Sequence, residues 1–194
     1  MSTNDPAFGP SVEGALATLR AGGLILYPTD TIWGIGCDAT HAEAIRRIYA
    51  LKRRDDRKSL ILLLADERSL MQYVTSPPPD LHRLLQETGR PTTVIYEGAV
   101  GLPDNLVPAD GSIAIRLVQE PFCKTLIKRL RKPLVSTSAN ISGQPSPGHF
   151  GEIAEEIRRG VDFVVPYRQD DRTKTAPSRI VKITTDGALK IIRE

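Results

Sequence analysis

Ser136, Ser138 and Asn140 stand among Leu134, Val135, Thr137 and Ile141 in the stretch 132–143, which Gly143 closes with a residue free to turn. The pattern reads as a strand running into a polar loop. Short hydroxyl and amide side chains lie close to the backbone, so they can hold a phosphate or carboxylate without the entropy loss of ordering a long side chain. Spaced two apart, Ser138 and Asn140 share one face of an extended chain. A Ser/Thr turn capping the next element uses the same residues, and this stretch alone does not choose between the two. A second such place is 28–36, where Pro28-Thr-Asp-Thr31 breaks an apolar run and Gly34 and Gly36 allow close approach to the backbone. An ordinary turn is the alternative there.

Cations complete the inventory. Ile45, Ile48 and Tyr49 follow the capping-box pattern Thr40-His-Ala-Glu43 at helical spacing, and the next position on that stripe is Lys52. A lysine there lies on the inward face, at the helix end where positive charge is favourable, and can point over a cleft. The run 52–58 offers five cations, Arg54 and Lys58 among them, and two acids. Such runs are commonly solvated and self-paired, but this one directly precedes the apolar strand 59–64, and strand ends are where open α/β sheets bind ligands. In 112–118, Ile113, Ile115 and Leu117 alternate with Ala114, Arg116 and Val118, which puts a guanidinium in mid-strand. Burying that charge requires an anion or carboxylate to meet it, unless the strand is an edge facing water.

Several common chemistries are absent from the pattern. There is no Gly-rich phosphate loop, no dinucleotide fingerprint and no serine-hydrolase elbow. His41, His82 and His149 sit in unrelated contexts and suggest surface or capping roles, with no metal-ligand cluster. Cys37 and Cys123 have no disulfide or zinc spacing and are expected to be reduced, structural thiols. What remains suits phosphoryl or nucleotidyl transfer, in which positioning and charge stabilisation do most of the catalysis and magnesium arrives with the nucleotide.

These residues need a scaffold. Helical patterns are expected over 12–19, 41–52, 66–73, 79–88, 122–130 and 150–159. Strands are expected over 24–27, 59–64, 91–96, 112–118, 161–165, 180–183 and 189–192, besides the one that runs into the polar loop within 132–143. Residues 98–111 read as an irregular surface loop. Helices and strands interleave without strict alternation, so the expected fold is α/β: a single domain over 1–194, a twisted mixed sheet with helices on its faces and a basic concave cleft. The chain has 194 residues, 40% hydrophobic and 25% charged, with a net charge of +3. That composition fits one sizeable core and permits an anionic partner without requiring one. No apolar run reaches the ~20 residues of a membrane span, and the polar first ten residues lack signal-peptide order, so no membrane and a cytoplasmic location are expected.

The segments 28–36, Lys52-Arg-Arg54 and 133–143 resemble the signature segments of the YrdC-like family, in which a Lys-x-Arg and a Ser-x-Asn motif line a basic cavity. In order and spacing the resemblance covers nearly the whole chain. It implies threonylcarbamoyl-AMP synthesis from ATP, L-threonine and bicarbonate, with magnesium brought by ATP. The product would serve a downstream threonylcarbamoyl transferase complex that modifies tRNA. Carried over by position, Thr31, Arg116, Ser136 and Ser178 would bind threonine. Arg54, Lys58, Ser112, Ser138, Ser146 and Arg193 would bind ATP, and Lys52, Arg54, Ser138 and Asn140 would form the catalytic motifs. Asp55, Lys58, Ser59 and Leu63 depart from patterns common in the family, and the chain ends at Glu194, without the extra domain of long members. The competing expectation is a YciO-like RNA-binding module that meets tRNA or double-stranded RNA through its cations and makes no adenylate.

Overall fold

A computed structural model provides the architecture, described for residues 8–55, 59–78, 81, 85, 89–184 and 188–194. Helix α1 (Gly9–Arg20) leads into strands β1 (Ile25–Tyr27) and β2 (Gly34–Asp38), then helix α2 (Ala42–Lys52) and strand β3 (Ile61–Leu64). Strands β4 (Thr92–Tyr96) and β5 (Ile113–Leu117) precede helix α3 (Pro121–Leu130) and strand β6 (Leu134–Ser138). The short helix α4 (Glu155–Arg159), strand β7 (Phe163–Val164) and the hairpin β8 (Arg179–Ile183) and β9 (Leu189–Arg193) follow. Among the described residues nine strands join one mixed sheet in the order β7-β1-β2-β6-β3-β5-β4-β8-β9. Strand β6 lies between β2 and β3 and is antiparallel to both, while β3 runs parallel to β5.

The two faces of the sheet are covered differently. On one, Ile35, Cys37, Leu62, Leu64, Ile113, Ile115 and Val135 pack with Ile45, Ile48 and Tyr49 of α2. On the other, Leu63 and Leu134 pack with Val12, Leu16 and Leu19 of α1 and with Phe122, Leu126 and Leu130 of α3. Each fully buried aliphatic side chain contributes roughly 1.5–3 kcal/mol, so these helices fix the sheet firmly. Across β6, β3, β5 and β4 the directly paired residues Ser136, Ile61, Ala114 and Ile95 share a face and line a cavity there. Gly36, opposite Ser136, supplies room: a Cβ there would stand 2.6 Å from the Val135 carbonyl and 2.8 Å from the Tyr27 ring.

Local expectations fail where side chains compete for the backbone. The α2 cap is His41, one residue later than the capping-box pattern implies, because Thr40 donates its hydroxyl to Asp38 while His41 Nδ1 accepts from the Ala44 N–H. The expected helix over 150–159 is two pieces, a 3-10 turn Phe150–Glu152 and α4, divided at Ile153 and Ala154, whose backbone is extended. The pattern over 66–73 forms a 3-10 segment, Glu67–Gln72, capped by Asp66. The pattern over 79–88 falls largely outside the described residues, as do His82 and Lys58. Strand β5 lies inside the sheet between β3 and β4, so the edge-strand alternative for Arg116 does not hold. Both cysteines are buried free thiols. No helix among the described residues is long and apolar enough to cross a membrane.

Candidate functional site

The cavity encloses about 220 Å³ and is lined from several separate places in the chain. The loop 28–33 contributes Thr29, Thr31 and Trp33; the segment after α2 contributes Arg54 and Ser59; β5 contributes Arg116. Strand β6 and the loop beyond it supply Ser136, Ser138 and Ser146, and the C-terminal hairpin with its lead-in supplies Ser178 and Arg193. Thr31, Arg54, Arg116, Ser136, Ser138, Ser146, Ser178 and Arg193, far apart in sequence, therefore meet in one place. Lys52, Ser112 and Asn140 do not line it. Ser112 sits buried at the start of β5, its N–H donated to Asp110.

Lys52 is only 1% exposed, and its ammonium donates to the carbonyls of Ser138 and Asn140, both at 2.5 Å. Its own carbonyl accepts from the Ser142 N–H at 2.9 Å. The end of α2 thus ties down the loop after β6. Burial, reinforced by the neighbouring Arg54 charge, lowers the Lys52 pKa from 10.5 to about 8. Asn140 acts within the same loop, its amide donating to the carbonyls of Ile141 and Gln144 at 3.1 and 2.7 Å. The chain turns after Ser138, where the Asn140 N–H meets the Ser138 carbonyl at 2.9 Å, so Ser138 and Asn140 do not share the face of one strand.

Arg116 is 4% exposed. Its Nη1 donates to the Thr31 hydroxyl at 3.0 Å, and its Nη2 lies 3.2 Å from the Asp30 carboxylate. The carboxylate expected opposite this buried guanidinium is therefore supplied by the protein itself. Thr29 donates to the Ile32 carbonyl at 2.8 Å, which spends its one proton, so at the 3.0 Å contact between the two threonines Thr31 is the donor. Thr31, already donating, can only accept from whatever sits in the cavity. Ser178 shares a 2.8 Å bond with Thr93, and its carbonyl accepts from Arg193 at 2.7 Å. Burial lowers the pKa of Arg54, and burial with the Arg116 charge lowers that of Arg193. A charge disfavoured in this way is one that an arriving anion stabilises.

Sequence reasoning passed over Asp30, Thr29 and Thr93. Asp30 and Thr29 lay inside the 28–31 segment noted for its hydrogen-bonding side chains, whereas nothing local marked Thr93. Leu63, one of the departures from the family pattern, is fully buried under α1 and α3. Ser59, another departure, lines the cavity and accepts from Arg54 at 2.8 Å through its carbonyl.

A family model described as Telomere recombination, covering the Sua5, YciO and YrdC proteins, matches residues 17–194. The chain belongs to the Sua5/YciO/YrdC family. Within that family, the threonylcarbamoyl-AMP synthase of Halorhodospira halophila is 32% identical over 169 residues, spanning 87% of this chain and 88% of the relative. The threonylcarbamoyl-AMP synthase of Marinobacter nauticus is 32% identical over 188 residues, spanning 94% and 96%. Among solved structures, P. abyssi Sua5 complexed with L-threonine matches 94% of this chain with a TM-score of 0.81 and 23% identity. This chain spans about half, 53%, of that Sua5 chain, and the likeness establishes the Sua5-type fold.

Proposed function

We propose that this chain is a threonylcarbamoyl-AMP synthase, making threonylcarbamoyl-adenylate and pyrophosphate from ATP, L-threonine and bicarbonate. The observation that carries the reading is the convergence on one cavity of Thr31, Arg116, Ser136 and Ser178 with Arg54, Ser138, Ser146 and Arg193. The names of the 32%-identical relatives support it.

In this reading Arg116 meets the carboxylate of threonine, and the Thr31 hydroxyl accepts from its amine or hydroxyl. Threonine's nitrogen captures the carbon of bicarbonate as a carbamate with loss of water. A carbamate oxygen then attacks the α-phosphorus of ATP, and the bond to the bridging oxygen breaks as pyrophosphate leaves. Arg54 and Arg193 offset charge on the triphosphate, and magnesium arriving with ATP would add charge neutralisation on the leaving pyrophosphate. Lys52 and Asn140 hold the loop that presents Ser138 and Ser146. The catalysis is positioning and charge stabilisation and needs no protein nucleophile. Lys58 belongs to the ATP set by motif position alone. The adenylate would pass to a threonylcarbamoyl transferase complex acting on tRNA, in the cytoplasm.

The test is pyrophosphate release from ATP with magnesium, bicarbonate and each of several amino acids in turn. Threonine-dependent release is expected. Release that ignores the amino acid, or RNA binding without any release, would overturn the reading.

A further inference from the structure

We infer that Asp30 is a positioning residue for the amino-acid substrate, acting through Arg116; this rests on the reading of Arg116 as the carboxylate site. Two consecutive residues of the loop 28–33 bracket the guanidinium: Thr31 accepts from Nη1 at 3.0 Å and Asp30 Oδ1 faces Nη2 at 3.2 Å. With one nitrogen of the planar fork hydrogen-bonded and a second in ion-pair contact, rotation of its plane is restricted. Asp30 is itself anchored, since Oδ2 accepts from the Gln119 N–H at 3.0 Å just beyond β5. The carboxylate therefore ties the loop to the strand that carries Arg116. Both side chains are nearly buried, 9% and 5% exposed.

The pair is not fully satisfied. Arg116 Nε and Asp30 Oδ1 are buried without an aligned hydrogen bond among the described residues. A buried pair left in that condition is weak support for folding, which is the setting in which a role in orienting a ligand group explains its presence. Asp30 also offsets the Arg116 charge before any substrate arrives, so its removal has two opposed outcomes. If it only competes with the substrate's carboxylate, its loss strengthens threonine binding. If it sets the guanidinium plane, its loss weakens threonine binding.

Asp30→Asn separates these. The amide offers one oxygen where the carboxylate uses two, so an NH₂ group must face either the Gln119 N–H or Arg116, donor against donor. The expected result is a threonine KM raised about tenfold with the ATP KM changed less than about twofold. In an Arg116→Gln background the same change should add little, because the group it acts through is gone. A threonine KM that is unchanged or lower, equal rises for both substrates, or full additivity with Arg116→Gln would overturn the proposal. Should Asp30→Asn fail to fold, Asp30→Glu replaces it, with the same expected and overturning results, since it keeps the charge and displaces the carboxylate by a methylene. Arg116→Gln alone reports on the underlying reading: if it leaves the threonine KM unaltered, Arg116 is not the carboxylate site and that reading falls first.

Discussion

Replacing Lys52 by methionine should disable the enzyme while costing little overall stability. Methionine keeps the buried stem and removes the donors, leaving the Ser138 and Asn140 carbonyls without the ammonium that lies 2.5 Å from each. An unsatisfied buried polar group costs about 1–3 kcal/mol; the Asn140 carbonyl bears that loss, while the Ser138 carbonyl keeps the Asn140 N–H at 2.9 Å. Against this, a pKa lowered from 10.5 to about 8 means that holding the charge in place costs about 3 kcal/mol at neutral pH, which methionine avoids. The contributions largely offset, and we predict a change in unfolding free energy within about 3 kcal/mol of zero. The local effect has no such offset. Ser138 lines the cavity, its backbone carbonyl is one of the two groups released, and a displacement on the order of 1 Å costs about 100-fold in rate. Urea unfolding and threonine-dependent pyrophosphate release, both at pH 7, measure the two effects. A folded Lys52→Met protein with activity within about threefold of the parent would refute the idea that this lysine holds the loop for chemistry.

Three further outcomes are expected. The Lys52 pKa is lowered on folding, so between about pH 8 and 10.5 the unfolded chain binds more protons and stability rises with pH. Measured as the difference between the parent and Lys52→Met, which cancels the burial-raised Tyr96 and Cys37, this gain should appear above pH 8; a flat difference would contradict it. Gly36→Ala should destabilise by about 1–3 kcal/mol in thermal or urea unfolding, because the added methyl meets the Val135 carbonyl and the Tyr27 ring, and an unchanged midpoint would show the strand yields freely. Thr29→Val removes the acceptor for the Thr31 hydroxyl and should raise the threonine KM more than the ATP KM; equal changes would argue against the directed hydroxyl chain.

Periodicity made much of this scaffold legible. The alternation in 112–118 placed Arg116 opposite the apolar face of β5, and the stripe Ile45, Ile48, Tyr49 put Lys52 inward. What Lys52 touches was not legible, since its partners are backbone carbonyls 86 and 88 residues away, and carbonyls carry no sequence signal. Asp30 and Arg116 met the same limit: a need for a carboxylate was foreseeable from a mid-strand guanidinium, but its source depends on strand order. Ser138 and Asn140 were placed on one face by assuming extended chain, and the turn between them overrode that period. His41 displaced the expected cap because Asp38, buried at the end of β2, engages Thr40 first.

The most direct test of the central claim, that one cavity joins an amino acid to a nucleotide through a carbamate, is a reaction with ¹³C-bicarbonate, L-threonine, ATP and magnesium followed by mass spectrometry. The account predicts a threonylcarbamoyl-adenylate carrying the label in its carbamoyl carbon, formed in step with pyrophosphate. An adenylate without the label, or pyrophosphate released while no such product forms, would contradict it.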